Sequence, residues 1–441
     1  MDLFGRISGF MDSAGPLGLV AVLALLLGLL ALAVTGKRMI LLGAYLFLLM
    51  FSGFAVPAID AGSTLLRWVV MLLIALTAVR GARLPGLPAV MLSVYAAYGL
   101  LTAPLSPVAL WSIQTGLLML VATLPMAAAT ADHLRTLDDV YRLLKLFLLG
   151  GGLYVMLGLV SLGSLRQGVR FSGASSSAPL FVLTGGLLLP TAVWGAMSPH
   201  LRSWRWYCIF IAVCTGMLCI LSGQRTGTLA GFVGCLPLLA RLGFKKIAIA
   251  TLLLILGVSL VAVVLNFMPD QAEFIHRRFL TLDTTGRSDL WDRAVDLCLA
   301  SPWLGNGMGS SSLEFGFHNA YLSTWFEGGL VGIIFYTGAF ILMGVLALRL
   351  IVRSPFSDIS DLARLMLGLV MANLAAGFFE SKLTSPSNIA MFVAVVSSVV
   401  LSGMRRMDRE ARWDLAQYDY EHEWEEGMTA EAMAPGVEVG A

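Results

Sequence analysis

Charged residues are scarce in this chain. Only 13% of its 441 residues are Asp, Glu, Lys or Arg, and 58% are hydrophobic, with a mean hydropathy of +0.84. Soluble globular proteins carry about 25% charged residues. The composition therefore excludes that class and indicates an integral membrane protein. The net charge of +2 comes from scattered basic residues, so we expect no nucleic-acid partner.

Motifs for metal, nucleotide and serine-nucleophile chemistry are also missing. The chain has no zinc-type histidine pair, no Walker loop and no nucleophile elbow. Asp289 and Asp292 are a close acidic pair, but their spacing beside Arg287 and Arg293 fits pairing within a helix better than a metal site. We predict no metal and no cofactor. The five cysteines lack metal spacing and are expected to be small core residues: Cys208, Cys214, Cys219, Cys235 and Cys298.

Long apolar runs fill most of the chain. They predict an all-α polytopic membrane protein whose residues 1–405 form a bundle of about 12–13 transmembrane helices. Residues 406–441 are polar and rich in acidic side chains, and we predict a mostly disordered cytoplasmic tail. The thirteen candidate helices lie near 16–35, 39–57, 64–80, 87–103, 107–130, 143–163, 177–197, 204–221, 226–241, 246–267, 318–348, 363–379 and 387–404.

Loop charges predict the orientation of the bundle. Most Lys and Arg residues fall in one set of alternate loops, which the positive-inside rule makes cytoplasmic. The one long polar segment, residues 268–317, belongs to the other set and is called the island below. The predicted location is the inner membrane of a bacterium, with the island facing the periplasm.

The island and its borders hold most of the candidate chemistry. His318 lies where the island meets an apolar run, a position where an imidazole can take a proton from a sugar hydroxyl. Arg225, Arg287 and Arg170 are predicted to lie at the same membrane face. Because guanidinium groups fit phosphate oxygens, this set predicts a bound diphosphate.

Other polar residues near the island have predicted supporting roles. Glu327 lies in an apolar run and needs a partner, either Arg225 or the backbone. It would orient a catalytic base or lock two helices together. Asn319 and Tyr321 would shape the site. Gly305–Gly309 reads as a flexible turn that returns the chain to the membrane.

Four sequence blocks resemble the O-antigen ligase and polymerase superfamily of bacterial membrane glycosyltransferases. The order and spacing of the blocks fit the family over residues 286–332, and Arg225 and the Arg170–Gly173 segment fit it as well. The chain departs from the family at Ala174–Ser177, where Pro-Asn is common. The four blocks are Gly286–Trp291, Ser301–Gly307, His318–Leu322 and Glu327–Gly332.

The resemblance implies a GT-C-like fold and a definite reaction. That reaction is metal-independent, inverting transfer of a glycan from undecaprenyl diphosphate to an acceptor sugar hydroxyl. His318 would be the base that activates the acceptor. Arg225 and Arg287 would bind and neutralise the departing diphosphate, with Arg170 assisting.

Several readings remain open at this stage. The acceptor would be the lipid A-core in lipopolysaccharide biosynthesis, the growing glycan of a polymerase for O-antigen, capsule or exopolysaccharide, or a protein Ser or Thr. A polymerase could also bind a chain-length regulator. A transporter or flippase for lipid-linked glycans, and a non-catalytic scaffold, are the alternatives to an enzyme.

Overall fold

The protein is an all-α bundle in which one end carries the island. The computed structural model describes residues 38–51, 55, 57–77, 83–164, 170–173, 175–240, 243–266, 272–276, 287–312, 316–381, 385–386 and 388–432. No β-strand occurs in these ranges. Its main helices are α1 Arg38–Met50, α2 Pro57–Thr77, α3 Leu87–Thr102, α4 Ala109–Thr123, α5 Pro125–His133, α6 Leu137–Val160, α7 Ala178–Met197, α8 Arg205–Leu221, α9 Arg225–Leu239, α10 Phe244–Asn266, α11 Arg287–Ala300, α12 Ala320–Arg353, α13 Ser357–Gly377 and α14 Ile389–Ala432.

The polytopic helical fold predicted from the apolar runs is confirmed. Within the described ranges, eight helical segments are long and apolar enough to cross a membrane, and α1 and α2 include shorter apolar helices. The predicted run near 107–130 is divided at Pro125, which cannot donate a backbone hydrogen bond, into α4 and α5. The predicted first helix near 16–35 lies outside the described residues.

The last helix differs from the prediction. Disorder was expected from residue 406, yet α14 continues as a helix to Ala432, and the remaining residues lie outside the described part. No proline interrupts residues 389–432, and extending an existing helix adds one hydrogen bond per residue without a new nucleus. Arg412 Nε also donates to Asp408 Oδ2 at 3.0 Å, one turn apart.

Close backbone contacts set the direction of the central helices. Gly227 of α9 lies against the backbone of Val182 on α7, and Gly234 lies against Pro190 further along both helices. The two helices are therefore parallel and begin at the same end. Gly223, just before α9, approaches the ring of Phe274 in the island, so that end is the island end.

The opposite end gathers the chain's turns that are rich in basic residues. His200 Nε2 lies 3.1 Å from Asp358 Oδ1, which joins the α7–α8 connection to the start of α13. Ser354 Oγ donates to Asp408 Oδ1 at 2.6 Å, joining the α12–α13 turn to α14. These contacts agree with the two alternating sets of loops that the sequence predicts.

Candidate functional site

His318 has an unusual backbone at the boundary between the island and α12. Its φ is 48°, and no other non-glycine residue in the described ranges has a positive φ. Residues other than glycine adopt this left-handed conformation uncommonly, Asn, Asp and His more often than the rest, and it costs on the order of 1 kcal/mol. The imidazole is exposed. Neighbouring contacts must therefore hold the residue in place.

Both neighbours of His318 are firmly held. Phe317 is buried, packs edge-on against Phe326 at 5.1 Å, and its carbonyl oxygen accepts from Trp291 Nε1 at 3.0 Å. Asn319 caps α12, because its Oδ1 accepts from the backbone N–H groups of Tyr321 and Leu322 at 2.9 and 3.0 Å. Held on both sides, the His318 imidazole projects from a fixed backbone.

Asn319 and Tyr321 also connect this corner to the end of α13. Asn319 Nδ2 donates to the Phe378 carbonyl oxygen at 3.3 Å, and Tyr321 Oη donates to that of Leu374 at 2.8 Å. These two hydrogen bonds fix the start of α12 against α13.

Arg287 begins α11, the helix that packs beside His318. Trp291, one turn later on the same face, is the residue that bonds to Phe317. The backbone of Arg287 is thus about one helical turn from the contact that holds the His318 segment. The Arg287 side chain lies outside what the structure describes.

Arg225 is the first residue of α9 and is half-buried at the island end. None of the carboxylates in the described ranges forms an ion pair with it. The α7–α9 register also places Arg170 at this end, because Phe171 packs edge-on against Phe181 of α7 at 5.6 Å. The structure thus brings Arg170, Arg225, the start of α11 and His318 to one end of the bundle.

Glu327 is a buried lock, and its partner is the island and not Arg225. Its carboxylate accepts from Ser311 Oγ at 2.5 Å and from the backbone N–H groups of Gly309 and Ser311. Of the two partners predicted for Glu327, the backbone alternative is the one present. The carboxyl group therefore holds an island loop against α12.

The predicted flexible turn at Gly305–Gly309 is instead docked. Asn306 N–H donates to the Phe326 carbonyl oxygen at 2.8 Å, and Gly307 N–H donates to that of Glu327 at 3.0 Å. A Cβ at Gly305, where φ is 70°, would lie 2.5 Å from the Glu327 carbonyl oxygen. The Ser301–Gly307 and Glu327–Gly332 blocks therefore pack against each other through their backbones.

A break in α12 allows that docking. Gly329 has a φ of 60° inside the helix, and Leu330 N–H bonds outside the helix, to the Pro302 carbonyl oxygen at 2.7 Å. The sequence predicted one uninterrupted helix here. The break arises because the island supplies the hydrogen bonds that the helix gives up.

Glu380 is a candidate that the sequence suggested only as half of a surface pair with Lys382. It is 5% exposed, so the surface description is wrong, and Lys382 lies outside the described residues. The preceding residue, Phe379, contacts the Trp291 ring at 6.4 Å. A buried carboxylate therefore lies close to the segment that holds His318.

The cysteines behave as predicted. All five are free and buried. Cys298 of α11 packs with Ala294, Phe317 and Phe326, and burial raises the pKa of its thiol to about 12. The thiol stays protonated near neutral pH, so it is a packing group and not a nucleophile. Within the described ranges, no group of three or more His, Cys, Asp or Glu residues could hold a metal ion.

A comparison with known families finds a match for the segment that contains His318 and the start of α12. Residues 210–337 match the family model described as O-Antigen ligase. This segment is similar to the O-antigen ligase family. The match spans Arg225, Arg287, His318 and Glu327, and ends before Glu380. A comparison with curated proteins finds no match.

The match supports O-antigen ligase-like glycan transfer in general, and the eight apolar helices of the described ranges indicate a multi-pass membrane protein. In general terms, the O-antigen ligase family implies a glycosyltransferase-type enzyme, a lipid-linked glycan donor and a glycan acceptor. The matched segment runs from α8 to the first half of α12 and carries both the lock at Glu327 and the strained residue His318.

Proposed function

We propose that the protein transfers a glycan from undecaprenyl diphosphate to a sugar hydroxyl at the periplasmic face of the inner membrane. Transfer inverts the anomeric carbon and needs no metal ion. The protein would act as an O-antigen ligase on lipid A-core, or as a polymerase on the growing glycan.

One observation carries this proposal. His318 is exposed in a strained backbone conformation, between two residues that the fold holds tightly, inside the segment that matches the family. Strained residues that a structure maintains tend to mark functional sites. An exposed imidazole at the end of a membrane bundle has the chemistry of a general base.

The proposed step uses the base and the arginines together. His318 takes the proton of the acceptor hydroxyl, and the acceptor oxygen attacks the anomeric carbon from the face opposite the diphosphate. The bond from that carbon to the diphosphate oxygen breaks, and its electron pair leaves with the diphosphate. Arg225 and Arg287, with Arg170 assisting, stabilise the charge that gathers there.

The test is transfer in a defined system. Purified protein in lipid nanodiscs receives a glycan on undecaprenyl diphosphate, in the presence of a metal chelator, with either lipid A-core or free glycan as acceptor. We expect a new glycosidic bond and released undecaprenyl diphosphate. Product on lipid A-core identifies a ligase, and lengthened lipid-linked glycan identifies a polymerase.

Two outcomes would contradict the proposal. Movement of intact donor across a sealed vesicle membrane, without any new bond, would instead indicate a transporter or flippase. Transfer that stops with the chelator and returns with added Mg²⁺ would contradict metal independence.

A further inference from the structure

Three aromatic rings stack at the opposite end of the bundle, and we call them the ring cluster. The Tyr141 ring of α6 lies nearly parallel to the His200 imidazole, with centroids 4.5 Å apart, and to the Trp194 ring of α7, with centroids 6.1 Å apart. Tyr141 and Trp194 are buried, whereas 34% of the His200 side chain is exposed. His200 belongs to the short turn Pro199–Trp204 that follows α7. The ring cluster therefore joins α6, α7 and this turn.

One polar contact connects the ring cluster to α13. His200 Nε2 lies 3.1 Å from Oδ1 of Asp358, which is in the first turn of α13. Ser357 Oγ donates to the same oxygen at 3.4 Å. Within the described ranges, the Tyr141 hydroxyl and Trp194 Nε1 have no hydrogen-bond partner. The polar link from the ring cluster to α13 is therefore made by the imidazole.

The other charged residues on these elements are acids, arginines and one lysine. Asp361 pairs with Arg364 at 2.5 Å, and Asp139 accepts from the Thr136 hydroxyl at 2.8 Å. Such groups ordinarily keep their charge between roughly pH 5 and pH 8, whereas an imidazole changes its charge in that range. His200 is therefore the pH-dependent member of the set. The other members are Asp138, Asp139, Arg142 and Lys145 of α6, Arg202 of the turn, Arg205 of α8, and Asp358, Asp361 and Arg364 of α13.

The helix that His200 contacts also supports the island end. Gly368 of α13 lies against the backbone of Gly234 on α9. At the far end of α13, the carbonyl oxygens of Phe378 and Leu374 accept from Asn319 and Tyr321. A contact that fixes the start of α13 therefore acts on the helix that holds the start of α12.

The charge of His200 decides how strongly both of its contacts hold. An imidazolium attracts a carboxylate, and a charged ring stacks on an aromatic face more favourably than a neutral one. We propose that His200 is a pH-sensitive latch. The protonated ring holds the start of α13 to the ring cluster through Asp358, and the neutral ring releases it. The latch does not depend on the proposed function.

Hydrogen exchange measures the latch where it acts. Intact protein in nanodiscs is exchanged at about pH 5.5 and about pH 8, and amide protection is compared over residues 355–362 after correction for the intrinsic exchange rate. We expect about threefold higher protection at the lower pH. The effect is modest because a partly exposed ion pair changes a local equilibrium by up to about fivefold.

Two variants remove the latch in different ways. His200→Phe keeps a ring on Tyr141 but removes the charge, and Asp358→Asn keeps the shape of the side chain but removes the carboxylate. Both should show equal protection at the two pH values. The matched control is Asp361→Asn, which breaks the pair with Arg364 on the same helix and should keep the threefold difference.

Two results would overturn the latch. Equal protection of the wild-type protein at both pH values would show that His200 does not control the start of α13. A threefold difference that persists in Asp358→Asn would assign the pH dependence to another group. This second test stands even if His200→Phe fails to fold, because the Asp358 side chain is 48% exposed and its replacement leaves no buried gap. Since no glycan is added, failure of glycan transfer would leave the latch intact.

Discussion

The two ends of the bundle differ in the partners of their charged side chains. At the opposite end, two arginines are paired with carboxylates: Arg364 Nη1 lies 2.5 Å from Asp361 Oδ1, and Arg412 bonds to Asp408 at 3.0 Å. At the island end, Arg225 pairs with no carboxylate of the described ranges, and His318 is exposed in a strained conformation. Paired charges stabilise the fold, while cations held without a partner are available to a ligand.

Glu327 shows that the island end also contains a buried carboxyl group with hydrogen-bond donors around it. That carboxylate is buried and receives three hydrogen bonds from Gly309 and Ser311. The loop that donates to this carboxyl group therefore leads, through Phe317, to one exposed base. The contrast between the two ends concerns which groups are left free.

The largest effect is expected at His318. His318→Ala should lower kcat for glycan transfer about 1000-fold, since general base catalysis contributes roughly 10²–10⁴ in rate. Donor binding should persist, because the exposed ring supports no packing. The control is His276→Ala, an exposed histidine in the island. A reduction of less than fivefold for His318→Ala, measured with purified donor, would remove the assigned base.

The second-largest effect is expected at Arg225. Arg225→Ala should lower kcat/KM about 100-fold, as lost electrostatic stabilisation of a leaving diphosphate costs roughly 3 kcal/mol. Arg225→Lys should restore little, because an ammonium lacks the planar pair of donors. Steady-state transfer kinetics measure both variants. Equal activity of the Lys variant and wild type would show that position 225 contributes only charge.

A substitution at Glu327 tests whether its carboxyl group stabilises the docked island loop. Glu327→Ala should destabilise the protein by about 2–3 kcal/mol, since it leaves the buried donors at Gly309 and Ser311 without an acceptor. Glu327→Gln, which keeps an acceptor oxygen, should lose less. Thermal unfolding in detergent compares the variants. Unchanged stability of the Ala variant, together with lost transfer, would make Glu327 part of the chemistry instead.

The smallest effect is expected at the opposite end. Arg412→Ala breaks a partly exposed pair with Asp408 and should cost less than about 1 kcal/mol. Transfer should stay within about twofold of wild type, because the pair lies far from the proposed site. If Arg412→Ala reduced donor binding as strongly as Arg225→Ala, the distinction between the two ends would be lost.

Local patterns in the sequence predicted most of the helices, because a membrane span needs a long apolar run whatever its neighbours are. They also pointed to the exposed His318 at the start of α12. They could not predict the break at Gly329 or the docking of Gly305, because both depend on hydrogen bonds between segments that are distant in the chain. Glu380 was misjudged for the same reason: its burial comes from tertiary packing.

The uncovered face of α9 could be predicted only in part. The apolar residues Leu229, Phe232 and Leu236 are visible in the sequence, yet which face of α9 stays open depends on where α7 and α13 pack. The continuation of α14 to Ala432 was not predicted for a different reason. An acidic composition suggested disorder, but an established helix extends easily where no proline stops it.

The most direct measurement is a cryo-EM structure of the protein in nanodiscs with undecaprenyl diphosphate. We predict the diphosphate at the island end, with its oxygens about 2.7–2.9 Å from the Arg225 guanidinium and the His318 imidazole facing the same space. A diphosphate bound at the opposite end, or one that leaves Arg225 and His318 facing separate spaces, would contradict the account.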